Sequence, residues 1–317
     1  LPAFLIKYQT QMTHQPPVAN SNANQFRLQR PAIALGLLGC MFLFCLVISG
    51  VLLPFIPKII SRPEAAIKIT VVIQDLLVFI VPAVATAMIV TRLPARLLCV
   101  DKWPSLAATL LSCAVLLCSI PAMNAIIEWN KSWHLPESFQ SLEQFFRQLE
   151  DGAEATTNIL MNGASIPSLI VSVLIVGVLA GFSEELFFRG ALQRILGQTR
   201  LNIHVTIWLV AFIFSAFHFQ LFGLVPRMLL GAFFGYLLWW SKSLWLPIIL
   251  HVLNNSIVVI ATYLDTEGTN TSDANGLNHI GTDFSSTVDM LIVIASVAIT
   301  TVGIILLHRY FHNKKHQ

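Results

Sequence analysis

Long apolar runs, broken by short polar turns, set the pattern of this chain. A helix needs about 20 apolar residues to cross a hydrocarbon core of about 30 Å. Eight segments reach or approach that length, roughly 32–56, 69–91, 104–127, 166–197, 203–221, 222–241, 244–263 and 288–308. The fourth to seventh are joined by very short turns, which predicts a tight antiparallel block. The expected fold is all-α, a polytopic membrane helical bundle with about eight transmembrane helices. Four regions follow: a disordered polar N-terminal arm over 1–31, helices one to three and an external loop over 32–165, a core of helices four to seven over 166–263, and an external loop, last helix and basic tail over 264–317. Met12 is a candidate start, and the first span can serve as the signal.

Composition agrees with this class. Apolar residues make up 56% of the 317 positions and charged residues 11%, and mean hydropathy is +0.73. A soluble surface of this size needs far more charge. The net charge of +3 gives no reason to expect a nucleic-acid partner. The five cysteines, Cys40, Cys45, Cys99, Cys113 and Cys118, lie in or beside apolar runs without C-x-x-C spacing. They read as small hydrophobes, neither disulfides nor metal ligands.

The distribution of basic residues predicts orientation. With a cytoplasmic N-terminus, the inside carries Lys7, Arg27, Arg30, Arg92, Arg96, Lys102, Arg194, Arg200, Lys242, Arg309, Lys314 and Lys315. The outside carries Lys58, Arg62, Lys68, Lys131, Arg147 and Arg227. Twelve against six places both termini in the cytoplasm, most simply in a cell (inner) membrane. Of the two long connections, Pro136 to Asp151 has the pattern of an interfacial amphipathic helix. Residues 264–287 read as a flexible external loop.

Charged and strongly polar side chains inside spans are expensive, roughly 2.5–3.5 kcal/mol for a charge at the helix centre. Here they concentrate in the fourth, fifth and seventh segments: Glu184, Glu185 and Arg189; His218; His251, Asn254 and Asn255. Glu185 and Arg189 are four apart and can pair on one helix side. Glu184 is rotated by about 100° from that side and is left free for chemistry. A carboxylate that has lost part of its water suits a general base. A purely structural ion-pair network is the alternative. Counted outward from about residue 201, Glu184 and His218 lie at similar depth on adjacent antiparallel helices, which allows a contact. His251 and Asn255, four apart, project from one face. Together they can donate to a developing oxyanion or simply join helices. Asp75 with Gln74 is a weaker candidate that either lines a cavity or pairs with a neighbouring helix.

Taken together, Glu184-Glu185-Leu-Phe-Phe-Arg189, Phe214-Ser-Ala-Phe-His218 and His251-Val-Leu-Asn-Asn255 resemble the CAAX-protease and bacteriocin-processing family of intramembrane proteases. Gly190 and the Ser243-Leu-Trp-Leu-Pro247 lead-in fit the same pattern. The resemblance covers roughly residues 166–260 and makes helices four to seven the catalytic core. It implies a peptidase that acts on a peptide or protein substrate at the face of the lipid bilayer. In that scheme Glu184 with His218 activates water, His251 and Asn255 stabilise the oxyanion, and Arg189 holds Glu185. The reading requires no cofactor. Glu184, His218 and His251 are the zinc ligands if a metal is used, but no H-E-x-x-H helix is present. Other readings of the acidic pair are an ion- or proton-coupled transporter, and a non-catalytic immunity or scaffold protein of the same fold.

Overall fold

The computed structural model describes residues 28–161, 165–267 and 280–313. Helices build it, and no strand occurs among the described residues. Helix α1 spans Pro31–Ile59 and α2 spans Pro63–Val90. Next come α3, Leu106–Cys118, and α4, Ile120–Lys131, bent by 46° against each other. Helix α5 is Gln140–Met161 and α6 spans Ile166–Leu196. Helices α7, Ile203–Ala216, α8, Leu224–Ser241, α9, Trp245–Glu267, and α10, Thr287–Asn313, complete the bundle. Six of these helices are long and apolar enough to cross a membrane, and α3 with α4 makes a seventh if the bent pair crosses as one. Large apolar side chains such as Leu43, Phe44 and Val47 on α1, and Leu291 and Ile294 on α10, point outward. A surface of this kind faces lipid, so the chain is a multi-pass membrane protein with an all-α bundle fold.

The fifth predicted span, 203–221, is helical only over Ile203–Ala216. At 1.5 Å per residue this is roughly 21 Å, short of a full crossing. The helix stops because the chain tightens: His218 N–H bonds the carbonyl of Ser215, Phe219 N–H bonds that of Ala216, and Phe219 takes a left-handed φ of 53°. His218 therefore sits in a turn just beyond the helix end. Asn130 of α4 pins that turn, donating to the carbonyl of Leu221 at 3.3 Å and accepting from Val225 N–H at 2.9 Å.

The interfacial helix predicted from Pro136 runs further than expected, to Met161, after a single 3-10 turn at Glu137–Phe139. Phe139, Leu142 and Phe145 are exposed on it. Part of the arm and of the 264–287 loop lies outside the described residues. Cys45 and Cys99 are buried, whereas Cys40 and Cys118 are exposed; all five thiols are free.

Two features position α6 and α9. Gly177 and Gly181 form a side-chain-free stripe on α6 against α9. A Cβ at Gly177 would lie 2.6 Å from Ser256 Oγ, and one at Gly181 would lie 3.1 Å from the backbone nitrogen of Val252. Small residues at that spacing allow close helix approach in lipid. The start of α9 is tied to the 97–103 turn. Leu244 N–H bonds Cys99 O at 2.8 Å, Trp245 Nε1 bonds Val100 O at 3.0 Å, and Trp103 stacks on Trp245 at 4.3 Å.

Candidate active site

Helix α6 is not uniform. Six α-helical residues, Ala180–Glu185, lie between two π-helical stretches, Val173–Leu179 and Leu186–Gln193. Such wide turns are frequent at functional sites. Both glutamates sit at the end of the α-helical piece, and their surroundings differ. Glu185 and Arg189 are fully buried, with a 2.7 Å ion pair between Arg189 Nη1 and Glu185 Oε1. Glu184 keeps 15% of its side chain exposed.

Arg189 is enclosed on every side. Its Nη2 donates to the carbonyl of Gly231 at 3.0 Å. Its guanidinium lies over Phe214 at 4.4 Å and beside Phe234 at 5.7 Å. Desolvated cation–π contacts of this kind stabilise by ~2 kcal/mol. Gly231 makes the fit possible, because a Cβ there would meet Arg189 Nη2 at 3.0 Å and Phe214 at 3.2 Å.

His251 joins the two glutamates. Its Nδ1 donates to Glu185 Oε1 at 2.8 Å, and its Nε2 lies 3.7 Å from Glu184 Oε2. Glu185 is ionised in its pair with Arg189, so the ring nitrogen facing it carries the hydrogen. Nε2 is then the nitrogen turned toward Glu184. Phe234 packs against the ring at 5.2 Å.

His218 is oriented from the opposite side. Its Nδ1 donates to the carbonyl of Phe214 at 2.9 Å, which leaves Nε2 as the lone-pair nitrogen of the neutral ring. Glu184 and His218 interact through charge but make no direct hydrogen bond or ion pair. Phe214 is the hub. Its ring touches His218 at 5.2 Å, His251 at 5.9 Å and the Arg189 guanidinium. Asn255 lies one turn beyond His251 and donates through Nδ2 to the carbonyl of Val176 at 3.1 Å; its Oδ1 accepts from Asn254 Nδ2 at 3.3 Å. The structure therefore gathers Glu184, Glu185, Arg189 and His251 directly, brings His218 in through Phe214, and ties Asn255 to α6.

The zinc set fits poorly. His218 is not in ion-pair contact with Glu184, and the described residues contain no group of three His, Cys, Asp or Glu side chains disposed to hold one ion.

Residues 166–257 match the family model described as Type II CAAX prenyl endopeptidase Rce1-like. Over these residues, under a third of the chain, the sequence is similar to that family. The match begins at the first residue of α6 and ends within α9, so it takes in all three motifs. Comparisons with curated proteins and with solved structures return no match.

Several site features carried little or no sequence signal. Phe234, Gly231 and Asn130 lie in ordinary apolar or loop contexts, and only tertiary contact reveals them. Asp75 did carry a signal, as an acid within a span. It is buried, its Oδ2 has no hydrogen-bond partner, and it lies in electrostatic range of Glu184.

Proposed function

We propose that this protein is an intramembrane endopeptidase of the CAAX-protease type, hydrolysing a peptide bond of a membrane-associated substrate with water activated by Glu184 and His218. The observation that carries this reading is the unequal environment of the two glutamates. Glu185 is buried and bonded to both Arg189 and His251, whereas Glu184 is partly exposed, 3.7 Å from His251 Nε2 and in electrostatic range of His218. The match to a prenyl endopeptidase family supports it.

In this reading a water proton passes to Glu184 as the water oxygen bonds the scissile carbonyl carbon. Nε2 of His218 accepts the hydrogen bond of the remaining O–H. Negative charge leaves Glu184 and appears on the carbonyl oxygen, where His251 and the second N–H of Asn255 stabilise it. The C–N bond then breaks, and the proton on Glu184 goes to the leaving amine. No covalent acyl-enzyme is needed, and neither a metal nor another cofactor takes part. Arg189 and Glu185 hold the histidine without meeting substrate. The partners are then the peptide or protein substrate and the surrounding bilayer, with both termini on the cytoplasmic side of a cell membrane.

The transporter alternative calls for polar side chains along a route across the bilayer. Here Glu184, Glu185, Arg189, His251 and Asp75 converge on one place, which favours the peptidase. The test is cleavage of membrane peptides by purified protein, with Glu184→Ala and His218→Ala alongside. Loss of cleavage in both variants is expected; undiminished cleavage in both would sink the mechanism.

A further inference from the structure

Arg227 lies in the first turn of α8, beside the turn that carries His218. Its Nη2 donates to the carbonyl of Gln220 at 3.0 Å, and its Nη1 donates to the Gln220 side-chain oxygen. Both acceptors are neutral. Among the described residues no carboxylate stands within ion-pair distance of this guanidinium, and its Nε is buried without a hydrogen-bond partner. Arg189, by contrast, has its counter-ion in contact.

Helix stability does not account for Arg227, because a cation in the first turn opposes the helix dipole. Local fit has been provided for it all the same. A Cβ at Gly223 would stand 2.5 Å from Arg227 Nη2, so the glycine leaves room for the group. The charge of Arg227 acts on His218, and those of Glu184 and Glu150 act on Arg227. A partly buried cation without a bonded counter-ion, next to the water-activating pair, invites an anion from outside the chain. A peptide offers one kind of anion, a carboxylate, and a guanidinium with a spare N–H binds it well.

We propose that Arg227 forms a carboxylate-binding subsite beside the scissile position and so determines which peptides are held there. This rests on the peptidase reading. The carboxylate has two possible sources, the C-terminus of the substrate or an Asp or Glu side chain. A C-a-a-X substrate ends in a free carboxylate a few residues past its lipidated cysteine.

The test measures binding apart from cleavage. Detergent-purified Glu184→Gln protein is titrated with three forms of one prenylated C-a-a-X peptide: the free acid, the C-terminal amide, and the amide with one added internal glutamate. The same titrations use protein that also carries Arg227→Gln or Arg227→Lys, with thermal unfolding followed for each. The expected result is that at least one carboxylate-bearing form binds about tenfold or more tighter than the plain amide. That advantage disappears with Arg227→Gln and is partly kept with Arg227→Lys. Which form carries the advantage identifies the carboxylate. The proposal is overturned if all three forms bind Glu184→Gln protein alike, if none binds, or if Arg227→Gln weakens acid and amide equally. Cleavage by the wild-type protein is scored separately. Carboxylate-dependent binding without cleavage would remove the peptidase reading and leave the subsite standing.

Discussion

His251 donates through Nδ1 to Oε1 of Glu185 across 2.8 Å, and that same oxygen accepts from Arg189 at 2.7 Å. One buried carboxylate oxygen thus fixes both an arginine and a histidine, while Glu185 Oε2 makes no hydrogen bond. The histidine is set by structure, and its other nitrogen is what remains for the substrate side.

Breaking that arrangement from one end should cost stability. Glu185→Gln strands a fully buried guanidinium, a change that destabilises by about 3–5 kcal/mol. A lowered unfolding temperature in detergent is the expected readout. Adding Arg189→Met removes the stranded charge and should restore much of the stability. Activity should not return, because Nδ1 of His251 still lacks its carboxylate.

Glu184→Gln should do the opposite. Glu184 is partly exposed and its nearest ion-pair partner, His251 Nε2, stands 3.7 Å away, so unfolding should shift little. Turnover should fall by about 10²–10⁴, the usual share of a general base. A large stability loss without a turnover loss would reverse the roles assigned to the two glutamates.

Substituting single glycines separates close approach from open space. Gly231→Ala places a methyl against Arg189 and Phe214, and Gly181→Ala places one against the Val252 backbone. Each should destabilise by about 1–3 kcal/mol and depress activity. Gly36→Ala on α1 meets nothing within 4 Å and should be tolerated or mildly stabilising. Thermal unfolding of the three variants decides the matter.

Chelation should leave activity intact. Glu184, His218 and His251 do not converge on one point, so excess EDTA is expected to change turnover less than twofold, or about 0.4 kcal/mol. Loss of activity that zinc restores would require a different arrangement of the three.

Glu143, on α5, gives a pH-dependent prediction away from the membrane spans. The backbone N–H of Leu135 and the guanidinium of Arg147 hold its carboxyl well below the usual range, at about 2. Its hold on the 133–136 turn is therefore present above the ordinary value of 4.5 and is lost as pH falls from there toward about 2. Limited proteolysis of this segment should be slow at pH 5 and accelerate toward pH 3. Glu143→Gln should already be cut quickly at neutral pH.

Helical phase was legible in the sequence, and distances between helices were not. The i, i+4 spacing alone separated Glu185, with Arg189, from Glu184. The same spacing placed His251 and Asn255 on one face, yet their partners differ: His251 meets the glutamates, and Asn255 meets the carbonyl of Val176. That difference depends on how closely α6 approaches α9, which Gly177 and Gly181 set. Two glycines in an apolar run announce no such thing by themselves. Counting residues put His218 level with Glu184 but carried the helix through to 221. The left-handed Phe219 ends it earlier, and a phenylalanine gives no warning of that conformation. Asp75 was visible as an intramembrane acid, but its electrostatic neighbour lies 109 positions away, at Glu184.

The two π-helical stretches that bracket Ala180–Glu185 bear on how such a chain can diverge. A π turn holds one residue more than an α turn. Deleting a residue inside Val173–Leu179 can be absorbed by rewinding that stretch as α-helix, leaving the six residues that carry the glutamates unturned. The same deletion within Ala180–Glu185 would swing one glutamate by about 100° around the axis. The wide turns thus act as length buffers, and insertions or deletions along α6 should be tolerated unevenly, freely in the buffers and hardly at all between them.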